Sequence, residues 1–500
     1  MTARAVMCQG TGSHVGKSVV VAGLCRLYAR AGFRVAPFKA QNMSNNSFVT
    51  SDGGEMGRAQ VFQAQAAGVE PIVEMNPILL KPDADTRAQV VRLGQPVEAM
   101  EVRQYHDYQR IAWPAVTQAY DRLQREYDLI VLEGAGSPAE INLRGRDIVN
   151  MKMAQYAEAS VILIGDIERG GVFAALYGTL ALLEPDERAL VRALLINKFR
   201  GEASLLDPGL DFLTLETGVP VLGVLPFLFG LPVDEEDAVV LNGGEDRTGR
   251  GPLDIGVIHL PHISNATDFQ PLATEADVTL RYIETPQAFG EPDVVILPGT
   301  KSTVADFDWM LRQGLADRIT AHRRRGGWLI GICGGYQMLG QQILDPEGVE
   351  SGRRAVPGLE LLPVVTTFTA RKRLVRVEGV SLLPGVAAPV RGYEIHQGRT
   401  EAGALAPAIC LNRVFDQEVS ETDGAADGIG CFGTYLHGLF DHGAFRREYL
   451  NQLRRHKGLE PLPAHAYDTR PKDFDRLADW LQDNLDMRLL ESVVGLSVSG

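Results

Sequence analysis

The stretch GICGGYQMLG, residues 331–340, decides the fold of the second half of the chain. Cys333 follows an apolar run, GGWLIGI, that is typical of a buried parallel strand, and it precedes two glycines and a helix-like segment. A cysteine at such a strand-to-helix turn is presented above the end of the sheet. There the helix N-terminus favours the thiolate and the following N–H groups stabilise an oxyanion. The pattern therefore predicts a nucleophilic cysteine, because a structural cysteine would leave the two glycines unexplained.

A second apolar segment, TYLHGLF at 434–440, contains the candidate base. His437 closes this strand-like segment, whereas His396 and His442 are the rival histidines. A lone histidine is usually structural, and an imidazole beside a cysteine activates the thiol. The sequence therefore predicts that Cys333 and His437 form a catalytic pair.

Together the two segments resemble the glutaminase centre of class I, triad-type glutamine amidotransferases, over roughly the C-terminal half of the chain. The resemblance implies that the backbone N–H groups of Gly299, in ILPGTKST, and of Gly334 form the oxyanion hole. It also implies that Gln337 contacts the bound glutamine, although a helical position equally suits a surface polar residue.

One position departs from the triad pattern. Triad amidotransferases carry a glutamate two residues after the histidine, and Leu439 occupies that position here. The centre is therefore either a Cys/His dyad or one that borrows another group, which the sequence does not identify. We expect His437 to be held less firmly than in a full triad, and glutamine hydrolysis without the second substrate to be slow.

The chain opens with a strand, a glycine-rich loop and a helix, in ARAVMCQGTGSHVGKSVV at 3–20. The ending Gly16-Lys17-Ser18 matches a phosphate loop, whose N–H groups cradle phosphates. The loop is a variant, because Thr11 stands at the first glycine position, and it resembles that of dethiobiotin synthetase. We expect Lys17 to reach the transferring phosphate and Ser18 to ligate Mg²⁺. The alternative is an ordinary glycine-rich turn.

Other polar residues of the first half are candidates for the same site. The dethiobiotin synthetase resemblance implies a metal-binding role for Glu133, a phosphate-neutralising role for Lys39 and base recognition by Asn197, with capping or surface roles as alternatives. Glu55 is a weaker candidate for a second metal carboxylate. The nucleotide-site candidates are Thr11, Gly12, Gly16, Lys17, Ser18, Lys39 and Asn197, and the amide-rich loop candidates for the substrate are Asn42, Ser44 and Asn45. The loop residues equally suit turn hydrogen bonds.

Bulk properties restrict the class of protein. The net charge of −14 argues against nucleic acid as a partner, and no apolar stretch approaches the ~20 residues of a membrane span. The five cysteines are scattered and odd in number, so they do not form a disulfide framework. These features, with an N-terminus that lacks a signal pattern, predict a cytoplasmic protein. A homo-oligomer is compatible with the sequence, which leaves the oligomeric state open.

The organisation predicts an α/β protein with two doubly wound, mostly parallel sheets. Residues 1–230 read as an ATP-binding synthetase domain, 231–252 as a linker, 253–445 as a glutamine amidotransferase domain and 446–500 as a helical extension. The predicted strands of the first domain are Ala5–Gln9, Arg34–Phe38, Leu129–Glu133, Ser160–Gly165, Ala193–Lys198 and Val221–Pro226. The second series comprises 253–260, 293–300, 328–333 and 430–438.

Three further segments narrow the resemblance: PFKAQNMSNNS at 37–47, EGAGSPAEINL at 133–143 and RGYEIHQGRT at 391–400. In this order they closely resemble the cobyric acid synthase family over essentially the whole chain. The resemblance implies amidation of four peripheral carboxylates of adenosylcobyrinic acid a,c-diamide with ATP, Mg²⁺ and glutamine. The alternatives are a cobyrinic acid a,c-diamide synthase, which shares both modules, and a ParA-type nucleotide switch. The Cys333/His437 pair argues against the switch.

Overall fold

The computed structural model describes residues 2–84, 87–228, 247–248, 251–463 and 470–498. The chain divides into two compact units. Unit 1 comprises Met1–Ser44, Gly54–Asp237 and Thr469–Gly500, and unit 2 comprises Asn45–Gly53 and Ala238–Asp468. Most of the predicted linker 231–252 lies outside the described residues.

The strands of the described residues, in chain order, are β1 Arg4–Gly10, β2 Val35–Phe38, β3 Gln41–Met43, β4 Ser47–Val49, β5 Glu55–Gly57, β6 Ile78–Ala84, β7 Arg87–Arg92, β8 Gln95–Glu101, β9 Leu129–Glu133, β10 Ser160–Asp166, β11 Val191–Phe199, β12 Val221–Pro226, β13 Arg247–Thr248, β14 Leu253–Ile258, β15 Val278–Ile283, β16 Val294–Leu297, β17 Trp328–Ile332, β18 Gln342–Leu344, β19 Ala355–Pro357, β20 Val365–Ser381, β21 Pro389–Glu401, β22 Ile409–Val414, β23 Gln417–Asp423, β24 Ala425–Ala426, β25 Cys431–Thr434 and β26 Leu436–His437.

The α-helices of the same residues are α1 Lys17–Arg30, α2 Arg58–Ala67, α3 Val102–Glu126, α4 Met151–Tyr156, α5 Val172–Leu182, α6 Pro185–Arg188, α7 Asp207–Thr217, α8 Gln270–Ala273, α9 Thr303–Arg312, α10 Leu315–Arg324, α11 Gly334–Leu339, α12 Gly443–His456, α13 Arg470–Asn484 and α14 Met487–Val494.

Unit 1 is built on a parallel sheet with the strand order β12-β11-β10-β1-β9-β2. The six strands predicted for this domain are these six, each displaced by two residues or fewer at either end. Their apolar, largely β-branched runs are buried, as in a sheet that helices cover on both faces. From β1 the chain runs to β2 on one side, and after β9 it crosses to β10 on the other side of β1. The carboxyl ends of β1 and its neighbours therefore form the crevice where such sheets bind ligands.

The sequence did not predict a second sheet in unit 1, with the order β3-β6-β7-β8. β6 contains Lys81 and Pro82, and this mixture of polar residues and proline obscures the two-residue alternation of a strand. The stretch 446–500, predicted as one helical extension, is divided between the units. α12 belongs to unit 2, whereas α13 and α14 belong to unit 1, where Phe474, Leu477 and Leu481 pack in the core with α1.

Unit 2 contains a sheet ordered β13-β15-β14-β16-β17-β25-β24, which is parallel from β15 to β25. A second, largely antiparallel sheet, β19-β18-β20-β21-β26 with β22 and β23, was not predicted. The prediction of one strand over 430–438 is wrong. Buried Asp423 accepts hydrogen bonds from the Thr434 hydroxyl and the Tyr435 N–H, and the chain changes sheets there, so β25 and β26 lie in different sheets.

The α/β architecture with two sheet-based units is confirmed. Among the described residues, no helix combines the length and the apolar character that crossing a bilayer requires. All five cysteines are free. Cys8, Cys25 and Cys431 are buried like small apolar side chains, whereas Cys410 is only half-buried.

Candidate active sites

Cys333 lies at a sharp turn between β17 and α11. Its φ of 51° and ψ of −108° are unusual for a residue other than glycine, and its N–H donates to Thr434 O at 2.8 Å. A Cβ at Gly335 would lie 2.0 Å from Leu297 O, so only glycine permits the helix to begin so close to the sheet. The predicted strand and helix are therefore present, and Cys333 lies between them in a strained conformation like that of a nucleophile elbow.

His437 lies close enough to Cys333 for the cysteine to contribute to the pKa of the imidazole, and the Cys333 Sγ donates to Ile395 O at 3.6 Å. The Nδ1 of His437 lies 2.7 Å from the Asp268 Oδ2, and the other oxygen of that carboxylate accepts from Gly438 N at 3.0 Å. Both side chains are only 2% exposed. Burial by itself lowers the pKa of His437, but the Asp268 charge and hydrogen bond, together with Cys333, raise this pKa to about 10.

Asp268 is the orienting carboxylate that the sequence did not identify. It lies in a short 3₁₀ turn, Ala266–Phe269, which is distant in sequence from Leu439, an apolar core residue. The prediction that the imidazole of His437 is held loosely is therefore wrong, because a buried carboxylate holds Nδ1. The only sequence signal is an acid in the segment SNATDF, which has no fixed spacing to either catalytic residue.

The predicted oxyanion loop lies against this pair. A Cβ at Gly299 would lie 2.8 Å from Cε1 of His437, and a Cβ at Gly334 would lie 2.7 Å from the Thr300 methyl carbon. Both positions therefore require glycine for the loop, the histidine and the start of α11 to approach one another. Gln337 is 2% exposed, accepts from the Thr303 hydroxyl at 3.1 Å and donates to the Tyr435 hydroxyl at 3.3 Å, so the surface alternative is wrong.

The two rival histidines have other surroundings. The His396 ring stacks on Tyr435 with 3.7 Å between centroids, and its Nδ1 lies 2.6 Å from Gly398 O. Burial lowers the pKa of His442, and the positive charges of Arg391 and Arg446 lower this pKa further. His437 is therefore the histidine that the fold brings to the nucleophile.

In unit 1, Glu133 at the end of β9 is the centre of a buried polar cluster. Its Oε1 accepts from the Ser18 hydroxyl at 2.8 Å and from Lys39 Nζ at 3.1 Å, and its Oε2 accepts from Gln63 Nε2. Glu133 and Lys39 are each 1% exposed. Three predicted residues thus converge at the carboxyl end of the sheet, joined by Gln63 of α2, which sequence reasoning missed because glutamine in a helix carries no chemical signature.

The phosphate loop is held from both sides. Lys17 Nζ donates to Gly12 O at 2.9 Å and to Gly136 O at 3.4 Å, so it bridges the loop and the turn after β9. Asn197 Nδ2 donates to Val15 O at 2.9 Å and would lie 2.2 Å from a Cβ at Gly16, whose φ is 93°. Asn197 therefore supports the phosphate loop, and base recognition by this residue remains a prediction. Thr11 continues β1 through its N–H, which donates to Ile164 O at 2.9 Å.

The remaining candidate residues of the first half have different surroundings from one another. Glu55 forms a buried ion pair with Lys81, with 2.5 Å between Oε1 and Nζ. Asn42 lies in β3 and not in a loop, is buried and donates to Gln60 Oε1 at 2.9 Å, and Ser44, also buried, follows that strand. Asn45 belongs to unit 2. The predicted second metal carboxylate is therefore engaged with a lysine, and of the predicted substrate residues Asn42 and Ser44 belong to unit 1.

The donors around Glu133 fit a magnesium ion. A carboxylate and a serine hydroxyl 2.8 Å apart are hard oxygen ligands, and Mg²⁺ in nucleotide sites takes one or two protein oxygens and completes its shell with phosphate and water. No group of three or more His, Cys, Asp or Glu side chains suited to a metal occurs within the described ranges, so a cage made only of such side chains is not seen there.

Comparisons with known proteins define the class first. Residues 254–445 match the family described as the CobB/CobQ-like glutamine amidotransferase domain, and residues 6–237 match the CobQ/CobB/MinD/ParA nucleotide binding domain. The chain is thus a glutamine amidotransferase domain joined to a nucleotide-binding domain, in agreement with the two sites described above.

Full-length relatives define the family. The chain is 50% identical to the cobyric acid synthase of Sorangium cellulosum over 99% of both chains and 51% identical to that of Klebsiella pneumoniae over 96% of both. It is 46% identical to the cobyric acid synthase of Dehalococcoides mccartyi over 98% of this chain and 99% of the relative. The chain belongs to the cobyric acid synthase family. It is an ATP-dependent, glutamine-hydrolysing amide ligase of cobalamin biosynthesis, with a corrinoid and glutamine as small-molecule partners.

Proposed function

We propose that this enzyme amidates the b, d, e and g carboxylates of adenosylcobyrinic acid a,c-diamide to give adenosylcobyric acid. The observation that carries the proposal is the sequence identity of 46–51% to cobyric acid synthases over nearly the entire chain. The two polar sites support it because each has the chemistry of one half-reaction.

The glutaminase half-reaction uses Cys333, His437 and Asp268. The Cys333 thiolate attacks the carboxamide carbon of glutamine, and the oxyanion is stabilised by the N–H groups of Gly299 and Gly334. The imidazolium of His437 gives a proton to the departing ammonia, and water then hydrolyses the thioester to glutamate. Asp268 supports this role because it fixes the ring orientation and stabilises the imidazolium, as the acid of a triad does.

The synthetase half-reaction uses the cluster at Glu133. A substrate carboxylate takes the γ-phosphoryl group of ATP, and ammonia then displaces phosphate from the acyl phosphate to form the amide. Phosphorylation is needed because a carboxylate is otherwise a poor acyl donor. Lys17 and Lys39 neutralise phosphate charge, and Asn42, Ser44 and Asn45 contact the corrinoid. Ser18 and Glu133 would hold Mg²⁺, and a bound ion there would supply positive charge beside the phosphoryl group.

The test is the mass spectrum of the product formed from the a,c-diamide with ATP and glutamine labelled with ¹⁵N in the side-chain amide. The proposal requires four labelled amides, with one ADP formed per amide. If the enzyme instead acted only on the a and c carboxylates of cobyrinic acid and left the a,c-diamide unchanged, the a,c-diamide synthase alternative would replace this proposal.

A further inference from the structure

The segment Asn45–Gly53 comes from the N-terminal half of the sequence but belongs to unit 2. It begins directly after Ser44, at the end of the amide-rich loop. Its side chains Val49 and Phe48 pack with Tyr393 and Ile395 in a small apolar cluster of unit 2. A segment of the synthetase half therefore forms part of the glutaminase unit.

Two hydrogen bonds attach this segment to the turn that carries Asp268. The Asn46 Oδ1 accepts from Ala266 N at 3.0 Å, and Ser47 N donates to the Asn265 Oδ1 at 2.9 Å. Asn46 and Asn265 are buried, with 6% and 2% exposure. Breaking these hydrogen bonds would leave buried donors without partners, which is energetically costly. The attachment therefore constrains the start of the turn.

Asn265 transmits the constraint to Asp268. Its φ of 53° and ψ of 41° place it in the left-handed region, which asparagine tolerates better than most residues. The carbonyl oxygen of Asn265 accepts from Asp268 N at 2.9 Å. The backbone of Asp268 is therefore held by a residue that the 45–53 segment holds in turn.

The same segment supports the face of the imidazole. The Phe48 ring meets the Tyr393 ring edge to face, with 4.8 Å between centroids, and the Tyr393 ring stacks on His437 at 5.7 Å and 21°. Asn265 Nδ2 also donates to the Tyr393 hydroxyl at 3.4 Å. The orientation of His437 thus depends on two groups, Asp268 at the ring edge and Tyr393 at the ring face. Both are held by groups that contact the segment.

We propose that Asn46 and Phe48 are positioning residues of the glutaminase centre, acting on His437 through Asp268 and Tyr393. The proposal rests on the proposed roles of Cys333 and His437. It makes glutamine hydrolysis depend on residues immediately after the loop assigned to the corrinoid. A segment that only stabilised unit 2 would change folding without changing the chemistry selectively.

The experiment compares Asn46→Ala and Phe48→Ala with Ser51→Ala, an exposed residue of the same segment. We expect kcat for glutamine hydrolysis to fall about 10- to 100-fold in the first two variants, since a small misplacement of a catalytic group has that effect. We expect amidation from free ammonia and the KM for ATP to stay within about twofold of the wild type, because neither uses the Cys333 centre. Ser51→Ala should match the wild type in every assay.

A double-mutant cycle separates positioning from general stabilisation. If Asn46 acts through Asp268, Asn46→Ala should have little further effect on kcat in the Asp268→Asn background. Full additivity of the two losses, or an equal loss of ammonia- and glutamine-driven amidation in folded Asn46→Ala, would overturn the proposal. Failure of the proposed role of Cys333 is distinguishable, because Cys333→Ser would then retain glutamine hydrolysis, and failure of the proposed substrate would show only in the product mass.

Discussion

The two proposed active sites differ in how the chain assembles them. The synthetase site draws Lys17, Ser18, Lys39 and Glu133 from turns at the carboxyl ends of adjacent strands in one parallel sheet. The glutaminase site draws its groups from two sheets, a 3₁₀ turn and the segment Asn45–Gly53. Asn46 precedes Asp268 by 222 residues, and Asp268 precedes His437 by 169. A site at one edge of one sheet can be inferred from local sequence motifs. When a site takes residues from several distant strands and turns, no local motif identifies its supporting residues.

The strongest test of this division is Cys333→Ser. We expect glutamine-dependent amidation to fall more than about 1000-fold, because loss of a nucleophile removes the thioester route. Amidation at high ammonium concentration should persist, since the synthetase site receives ammonia directly. Both rates are measured by ADP release and product mass. Loss of both rates in a folded variant would contradict the assignment of the two half-reactions to separate sites.

Lys17→Ala tests the other site. We expect amidation from either nitrogen source to fall about 100- to 1000-fold, because the lysine charge is worth most as phosphoryl charge redistributes in the transition state. Lys152→Ala is the control, since Lys152 is an exposed lysine of unit 1 that lies over the Trp113 ring. A variant that lost only the glutamine-driven rate would show that Lys17 does not serve the nucleotide.

The contrast between the sites also explains what the sequence could predict. Gly-rich turns after apolar strands revealed Lys17, Glu133 and Cys333, because a strand, a turn and a helix leave a local pattern. His437 was found from its apolar segment. Asp268 was missed because its contact with His437 spans 169 residues and has no required spacing. The antiparallel sheet of unit 2 was missed for a related reason, since its strands are half exposed and polar.

Asp268→Asn should lower kcat for glutamine hydrolysis about 100-fold and leave ammonia-dependent amidation unchanged. The pKa of His437, raised to about 10 chiefly by Asp268 against the effect of burial, should fall. The imidazolium that pairs with the thiolate would then lose its proton at lower pH. We therefore expect the alkaline limb of kcat/KM for glutamine to move to lower pH, and an unmoved limb would contradict the role of Asp268.

The same carboxylate links stability to pH. The folded-state pKa of His437 lies above the ordinary value of 6.5, so the stabilisation is complete below about pH 6.5 and is lost as the pH rises towards about 10. The difference in unfolding free energy between the wild type and Asp268→Asn should therefore shrink over that interval. Urea unfolding followed at several pH values measures it.

Glu133→Gln and Glu55→Gln separate the two candidate metal carboxylates. Glu133→Gln should raise the Mg²⁺ concentration for half-maximal rate about 10-fold or more, because it removes the charged ligand beside Ser18. Glu55→Gln should leave the Mg²⁺ dependence unchanged. It should destabilise the protein by about 3 kcal/mol, since it removes the charge facing buried Lys81. A shifted Mg²⁺ dependence in Glu55→Gln would restore Glu55 as a metal ligand.

The smallest expected effect concerns how the C-terminal helices complete unit 1. A Cβ at Gly23 of α1 would lie 2.7 Å from the Leu481 Cδ1 of α13, whereas a Cβ at Gly178 of α5 would meet nothing within 4 Å. Alanine is favoured over glycine in a helix by about 1 kcal/mol, but overpacking costs about 1–3 kcal/mol. Gly178→Ala should therefore stabilise the protein by about 0.5–1 kcal/mol, and Gly23→Ala should destabilise it by about 1 kcal/mol.

In the Leu481→Ala background, which opens the contact, Gly23→Ala should become neutral or stabilising. Thermal unfolding with both catalytic activities as controls measures these differences. If Gly23→Ala stabilised the protein as much as Gly178→Ala does, α13 would not pack against α1 at this distance in solution.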